Sequence, residues 1–195
     1  DDNITTALNG SQLKATLDFT GQDGTVDNLK KYDLMYGKGD PTGNITFNHK
    51  ICVLRLDINS SQLSADNITS IKDVTLTYVP TSGSQLFASQ EVYNFGATCD
   101  STITDAGSFT LSNTNISVAS GAAKVYIAVP HRQNLYGTLF IRIDAVDGTG
   151  NAMTYTQTNA LSFTNGRMLM STVHPLAITG LSKLNQTNIG EYLFN

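Results

Sequence analysis

The sequence has no tryptophan and only three histidines in 195 residues. Sugar faces stack best on exposed Trp or Tyr, so the missing Trp weakens a carbohydrate platform and leaves Tyr32, Tyr36, Tyr93, Tyr136 and Tyr155 as the residues that could supply one. His49, His131 and His174 form no pair two or four positions apart, so a metal site would have to be assembled by the fold alone. No serine sits in G-x-S-x-G, and there is no H-E-x-x-H or C-x-x-C. The run Asp147-Gly148-Thr149-Gly150-Asn151 opens no helix that could cradle phosphate and lacks the alternating oxygen ligands of a helical calcium loop, so it reads as a turn. These absences leave no catalytic residue, metal site or cofactor to nominate, and a non-enzymatic protein is expected.

Charge is also scarce. Charged residues make up 14%, the net charge is −4, and no basic run exceeds Lys30-Lys31. Such a surface does not neutralise phosphates, which excludes nucleic acid and anionic lipid as expected partners. No stretch of about 18 consecutive apolar residues is present, so no membrane-spanning helix is expected; if the protein is exported, its leader has already been removed. The two cysteines, Cys52 and Cys99, lie in no metal-ligand spacing. They leave a disulfide, two buried thiols, or one of each.

What remains is rich in Thr, Ser, Asn and Gly around period-two apolar segments, the signature of strands and turns rather than helices. Leu13–Phe19, Tyr32–Tyr36, Ile71–Val79, Lys124–Val129, Thr138–Val146, Ala152–Thr156, Leu161–Thr164 and Met168–Ile178 read as strands. Gly21–Gly24, Gly37–Pro41, Pro80, Asp147–Asn151 and Asn165-Gly166 punctuate them. Residues 81–120 hold only short apolar pairs, which fit short edge strands or a decorated loop. So many short strands with so little helix to cover them predict an all-β sandwich in one domain, residues 1–178, with 179–195 as a C-terminal tail or linker.

One segment does not keep its phase. In Gly43–Ile58 the apolar residues fall first on odd positions (Ile45, Phe47, Ile51, Val53) and then on even ones (Cys52, Leu54, Leu56, Ile58). A bulge near Ile51, or a strand crossing a sandwich corner and burying opposite faces before and after it, would account for the flip. His49, on the Phe47 face, is expected as a core or boundary residue.

Several landmarks, taken in order, resemble those of the fimbrillin-like proteins of Bacteroides-type bacteria. They are Asp33-Leu34-Met35, then Phe47-Asn48-His49 ahead of an apolar strand, then Ile127-Ala128-Val129-Pro130, the Ile141–Tyr155 hairpin, and Leu161–Arg167 with Asn165-Gly166. The likeness spans roughly residues 10–178, with Phe47, His49, Pro130 and Gly166 as its structural positions. It implies a transthyretin-like Greek-key β-sandwich, the amino-terminal domain of a type V pilus subunit or of an accessory protein. It further implies export as a lipoprotein precursor to the outer membrane and fimbrium, and assembly by donor-strand exchange with other pilus subunits or with a second domain of the same chain. A host ligand or glycan is a further expected partner. Ile189, Tyr192 and Phe194 are candidate anchors if the tail extends toward a partner; a locally packed C-terminal turn is the alternative. Asp100-Ser101-Thr102 matches an O-glycosylation signal known in such bacteria, which makes Ser101 a candidate. The alternative reading is a glycan-binding module of a polysaccharide-uptake system, with Tyr136 in its platform.

Overall fold

The computed structural model describes residues 3–9, 12–39, 42–96, 99–157 and 161–185, and in these the alternating pattern has become strand almost throughout. In chain order the elements begin with β1 (Ile4–Asn9), β2 (Gln12–Asp18), α1 (Val26–Leu29), a 3-10 turn (Lys30–Tyr32), β3 (Met35–Gly39), β4 (Ile45–His49), β5 (Cys52–Asn59) and α2 (Ser61–Ala65). There follow β6 (Ile68–Gly83), β7 (Phe87–Phe95), β8 (Cys99–Ala106), β9 (Ser108–Leu111), β10 (Ile116–Ser117), β11 (Ala122–Val129) and β12 (Arg132–Asp147). The last are β13 (Ala152–Gln157), β14 (Leu161–Met168), β15 (Val173–Ile178) and β16 (Leu181–Lys183).

The protein is an all-β sandwich. One layer is built on the long antiparallel pair β6 and β12. β9 and β10 lie along β6, β13 and β14 along β12, and β16 joins β13. The facing layer is β11-β5-β15, in which β15 runs parallel to β5. Leu54, Leu56 and Ile58 of β5 and Val125 and Ile127 of β11 meet Val74, Leu76, Leu139, Ile141 and Ile143 in one large core. A second antiparallel sheet, β1-β2-β7-β8, packs against the outer side of the β5 layer, where Leu17, Phe19, Ala88 and Ala128 cluster with Tyr32 and Ile51. β3 and β4 form a separate hairpin.

β6 stays paired with β12 although its sequence is longer than the partner stretch. Thr69, Lys72 and Thr81 are each an extra residue opposite β12, so β6 carries three bulges. Each adds bend and twist, which wraps the strand around the core. At Lys72 the displaced carbonyls are recovered: Thr114, buried, takes Lys72 O through its N–H at 2.8 Å and Ile71 O through its hydroxyl at 2.9 Å. The expected strand end at Pro80 is therefore wrong. The bulge beside it accommodates a residue with no N–H, and β6 runs on to Gly83.

The phase flip marks a joint between two sheets. β4 belongs to the hairpin and β5 to the sandwich, and Lys50-Ile51 links them. The first half buries nothing: Ile45 is 56% and Phe47 62% exposed, so the expectation of a second buried face fails for every odd position before Ile51. Only Ile51 is buried, on the side facing the four-stranded sheet, while Cys52 and its even successors face the main core. Other readings are corrected with it. Tyr32 closes the 3-10 turn instead of starting a strand, because its fully buried ring sends its hydroxyl to Thr20 O at 2.6 Å. Gly37 and Gly39 lie inside β3, where Ile45 and Phe47 cover Gly37 from the opposite strand. Val92 and Tyr93 belong to one nine-residue strand, and that strand is central in its sheet. Asn165 is an extra residue in β14, at φ 73°, so Asn165-Gly166 is a bulge and not a turn.

β11 would be an open edge, and the chain covers it. The Tyr126 N–H donates to Gly24 O at 2.8 Å. Gln22, 4% exposed, then acts as a surrogate strand: its Oε1 accepts the Ala128 N–H and its Nε2 donates to Ala128 O at 2.9 Å and to Phe19 O at 3.0 Å. Replacing Gln22 by Leu strands both Ala128 backbone groups in an apolar seam. The expected loss is about 2–4 kcal/mol, read as a lower urea midpoint at unchanged slope.

Candidate functional site

A groove of about 290 Å³ lies at the joint. α1 supplies Val26 and Leu29, the joint and β5 supply His49, Ile51 and Val53, and the turn into β15 supplies Ser171, Thr172 and Val173. Lys30 and Asp33 complete the rim. α1 is placed by its cap: Thr25 Oγ1 accepts the Asn28 N–H at 3.2 Å, and Asp23 in turn takes the Thr25 N–H at 2.8 Å and its hydroxyl at 2.7 Å. Val53 and Val173 sit opposite one another in register, so both side chains leave the same face of the sheet. An aliphatic floor with a polar rim is what a site needs in order to bind an apolar group and fix its direction.

The joint is held from three directions. The Lys50 N–H donates to Leu34 O at 2.8 Å, Tyr93 OH donates to Lys50 O at 2.8 Å, and the Ser171 N–H donates to Ile51 O at 3.0 Å. His49 is about half exposed and its Nδ1 stands 2.5 Å from Asp33 Oδ1. It is therefore a rim residue bound to a carboxylate, not a core residue. Phe47 extends past the groove on the hairpin.

β15 forms one boundary of its layer, and among the described residues no strand pairs with its outer side. The Val53 N–H donates to Thr172 O at 3.0 Å, so the even-numbered residues of β15 turn their backbone groups toward β5. Pro175 therefore presents its donor-less nitrogen to the free side. A proline there is one way of blunting an exposed edge.

The other expected positions are scattered. Pro130 is buried between β11 and β12, and Gly166 sits under the Phe163 ring, 2.7 Å from where a Cβ would stand. Tyr136 is half-buried on β12 between β6 and β14, away from any loop cluster. Ser101 is exposed on β8, opposite Tyr93. Ile189, Tyr192 and Phe194 lie outside the described residues. Both cysteines are free, Cys52 buried and Cys99 exposed, so of the three possibilities the disulfide and the pair of buried thiols both fall away. Burial pushes the Cys52 thiol up to about 12, which keeps it protonated and unreactive. Asp147 spends its carboxylate on its own turn, accepting the Thr149 and Asn151 N–H groups at 2.8 and 2.9 Å and side-chain donors from both residues. Among the described residues no cluster of His, Cys, Asp and Glu could hold a metal ion. No helix among them is long and apolar enough to cross a membrane.

The groove itself was hard to see in the sequence. Its floor is drawn from residues 26–29, 51–53 and 173, three segments that only the topology joins. The one local signal was the phase break at Ile51.

No family model matches the chain, and no curated protein matches it. Among solved structures, the fold is similar to a proposed cell adhesion protein of Bacteroides uniformis, with a TM-score of 0.50 and 14% identity over 88% of this chain and 70% of that one. At that identity the likeness establishes a shared sandwich fold.

Two outcomes follow from this geometry. Ile45 and Phe47 are more than half exposed and otherwise cover only the hairpin's own glycines, so replacing both by Ser is expected to lower the unfolding free energy from urea titration by no more than about 0.5 kcal/mol per site. Asp147 is different, because hydrogen bonds from Thr149 and Asn151 hold its carboxyl well below the usual range. Its stabilisation is present above the unfolded value of about 4 and is lost as pH falls through the depressed folded value. The melting-temperature gap between the wild type and Asp147→Ala should accordingly shrink on acidification.

Proposed function

We propose that the protein is a non-enzymatic cell-surface protein, a structural or adhesive subunit or an accessory protein of a type V fimbria, which receives an extended segment of a partner along β15. The observation that carries this reading is the free edge of β15 running out of an aliphatic groove. An incoming strand would find backbone groups on one side and, at its head, a pocket for an apolar side chain. The landmarks shared with fimbrillin-like proteins and the fold shared with a proposed adhesion protein support the same reading. Export to the outer membrane belongs to this proposal.

The donor in this proposal is the stretch that follows β16 in another copy, with Ile189, Tyr192 and Phe194 as anchors; β16 itself stays in its own fold, where Leu181 is part of the main core. The direction of β16 favours a neighbour over self-insertion. β16 runs along β13 from Gln157 toward Thr154, that is, toward the Asp147 end of β12. The groove lies beyond the opposite end, where Arg132 meets Met168 just before the Ser171 turn. The outgoing end of β16 and the groove thus lie toward opposite ends of β12, and a contact between the two in neighbouring copies would be head to tail and heterologous.

A labelled peptide of residues 181–195, titrated against the purified protein in a fluorescence-anisotropy assay, is expected to bind. Val173→Lys should weaken that binding about tenfold or more by placing a charge in the groove, while leaving the fold intact because Val173 is exposed. Binding that is indifferent to Val173→Lys, or absent altogether, would sink the donor-strand part of the reading.

A further inference from the structure

Among the described residues, Glu91 is the one acidic side chain that the fold encloses completely. It is 1% exposed, and its Oε2 has no hydrogen-bond partner. Its cross-strand neighbours on β7's two sides are Leu17 of β2 and Ile103 of β8, both of which pack with Ile51, Ala88 and Ala128. Directly opposed residues of antiparallel strands share a face, so the carboxyl points with them into the seam between the four-stranded sheet and the sandwich.

The groups around it offset only part of the cost of a buried charge. Cys52, a buried thiol on the core side of β5, lies within electrostatic range of it. Tyr93, two positions along β7, donates its hydroxyl to Lys50 O, and it and Ser101 of β8 both stand within hydrogen-bonding reach of the carboxyl, whose Oε2 is still left without a partner. Cys99, also on β8, is exposed and lies near Tyr93. The two cations in range are Lys50, whose ammonium lies over the Tyr36 ring, and Arg132. Arg132 Nη2 is shared between Phe87 O at 3.3 Å and Asp105 at 2.5 Å, and its Nε is itself unpaired.

We propose that Glu91 is a proton-controlled latch on this seam. Protonated, it is a compact neutral side chain that the seam accommodates; ionised, it leaves an incompletely partnered buried charge between Leu17 and Ile103, and the four-stranded sheet opens more readily from the sandwich. The direction agrees with the electrostatics of its surroundings. Burial is the dominant influence and raises the carboxyl above its ordinary value, against smaller opposing contributions from Ser101, Tyr93, Arg132 and Lys50. For a group raised in the folded state, the favourable contribution is complete below the unfolded value of about 4.3 and is lost as pH rises through the folded one.

The test is amide hydrogen exchange, corrected for intrinsic rates, at about pH 4 and about pH 8, where a free glutamate is largely neutral and fully charged respectively. Tyr126 and Ala128 are the reporters, because their N–H groups bond to Gly24 and Gln22 in the segment that leaves β2, and that segment must part from β11 when the four-stranded sheet opens. Opening at these amides is expected to rise several-fold with pH in the wild type and to stay level in Glu91→Gln. Equal pH dependence in the two proteins overturns the proposal, as does a flat wild type. Glu91→Met serves the same comparison if the amide variant folds poorly. A carboxyl NMR titration of the wild type needs no variant, and a folded value at or below the ordinary one also overturns it.

Discussion

Everything else in the molecule depends on how a single strand, β5, can be shared by two packing interfaces. Its even residues fill the main core and its odd residues turn outward. At the Ile51-Val53 end that outer side is closed by the four-stranded sheet and α1, while Arg55 and Asp57 further along pair with each other at 2.7 Å beside solvent. The joint at Lys50-Ile51 sets where this division begins. Hydrogen bonds from Tyr93 and Ser171, and one to Leu34, reach it from three separate elements. The groove is the space left beside that joint, so its position is a by-product of how the sheets are connected.

The edges of the three layers are treated unequally. β11 is closed by a loop and a side-chain amide. β8 is left open but carries Asp100, Ser101, Thr102 and Thr104, which do not invite apolar association. β15 carries only a proline as a deterrent, and Val173 stays 47% exposed at its head. In that contrast lies the case for β15 as the interacting edge. β15 combines a lightly protected edge with an aliphatic groove at its head.

The all-β class was legible because alternation at Leu13–Leu17, Leu54–Ile58 and Leu139–Ile143 is a local property that survives any arrangement of the sheets. The hairpin at Asp147–Asn151 was legible for the same reason, since its geometry is fixed by one carboxylate and its own turn. What misled was alternation that buries nothing. Ile45 and Phe47 carry the periodicity of a core strand but use it to cover the glycines of β3, so pattern alone assigned them to an interior. Glu91 is the reverse case. A glutamate between Gln90 and Val92 gives no sign of burial, because its enclosure comes from β2 and β8 on either side and from β5 across the seam. The groove was invisible on similar grounds, its walls being distant in sequence.

The Gln22 bridge has a kinetic consequence. It joins positions 106 residues apart, and it can close only after β11 has been placed against β5 and β2 against β7. Contacts of such long range are slow to form, because much chain entropy must be surrendered before any bond rewards it. The side-chain clasp on Ala128 therefore belongs to the last stage of refolding, and until it closes the nascent sandwich carries a bare flank open to mispairing.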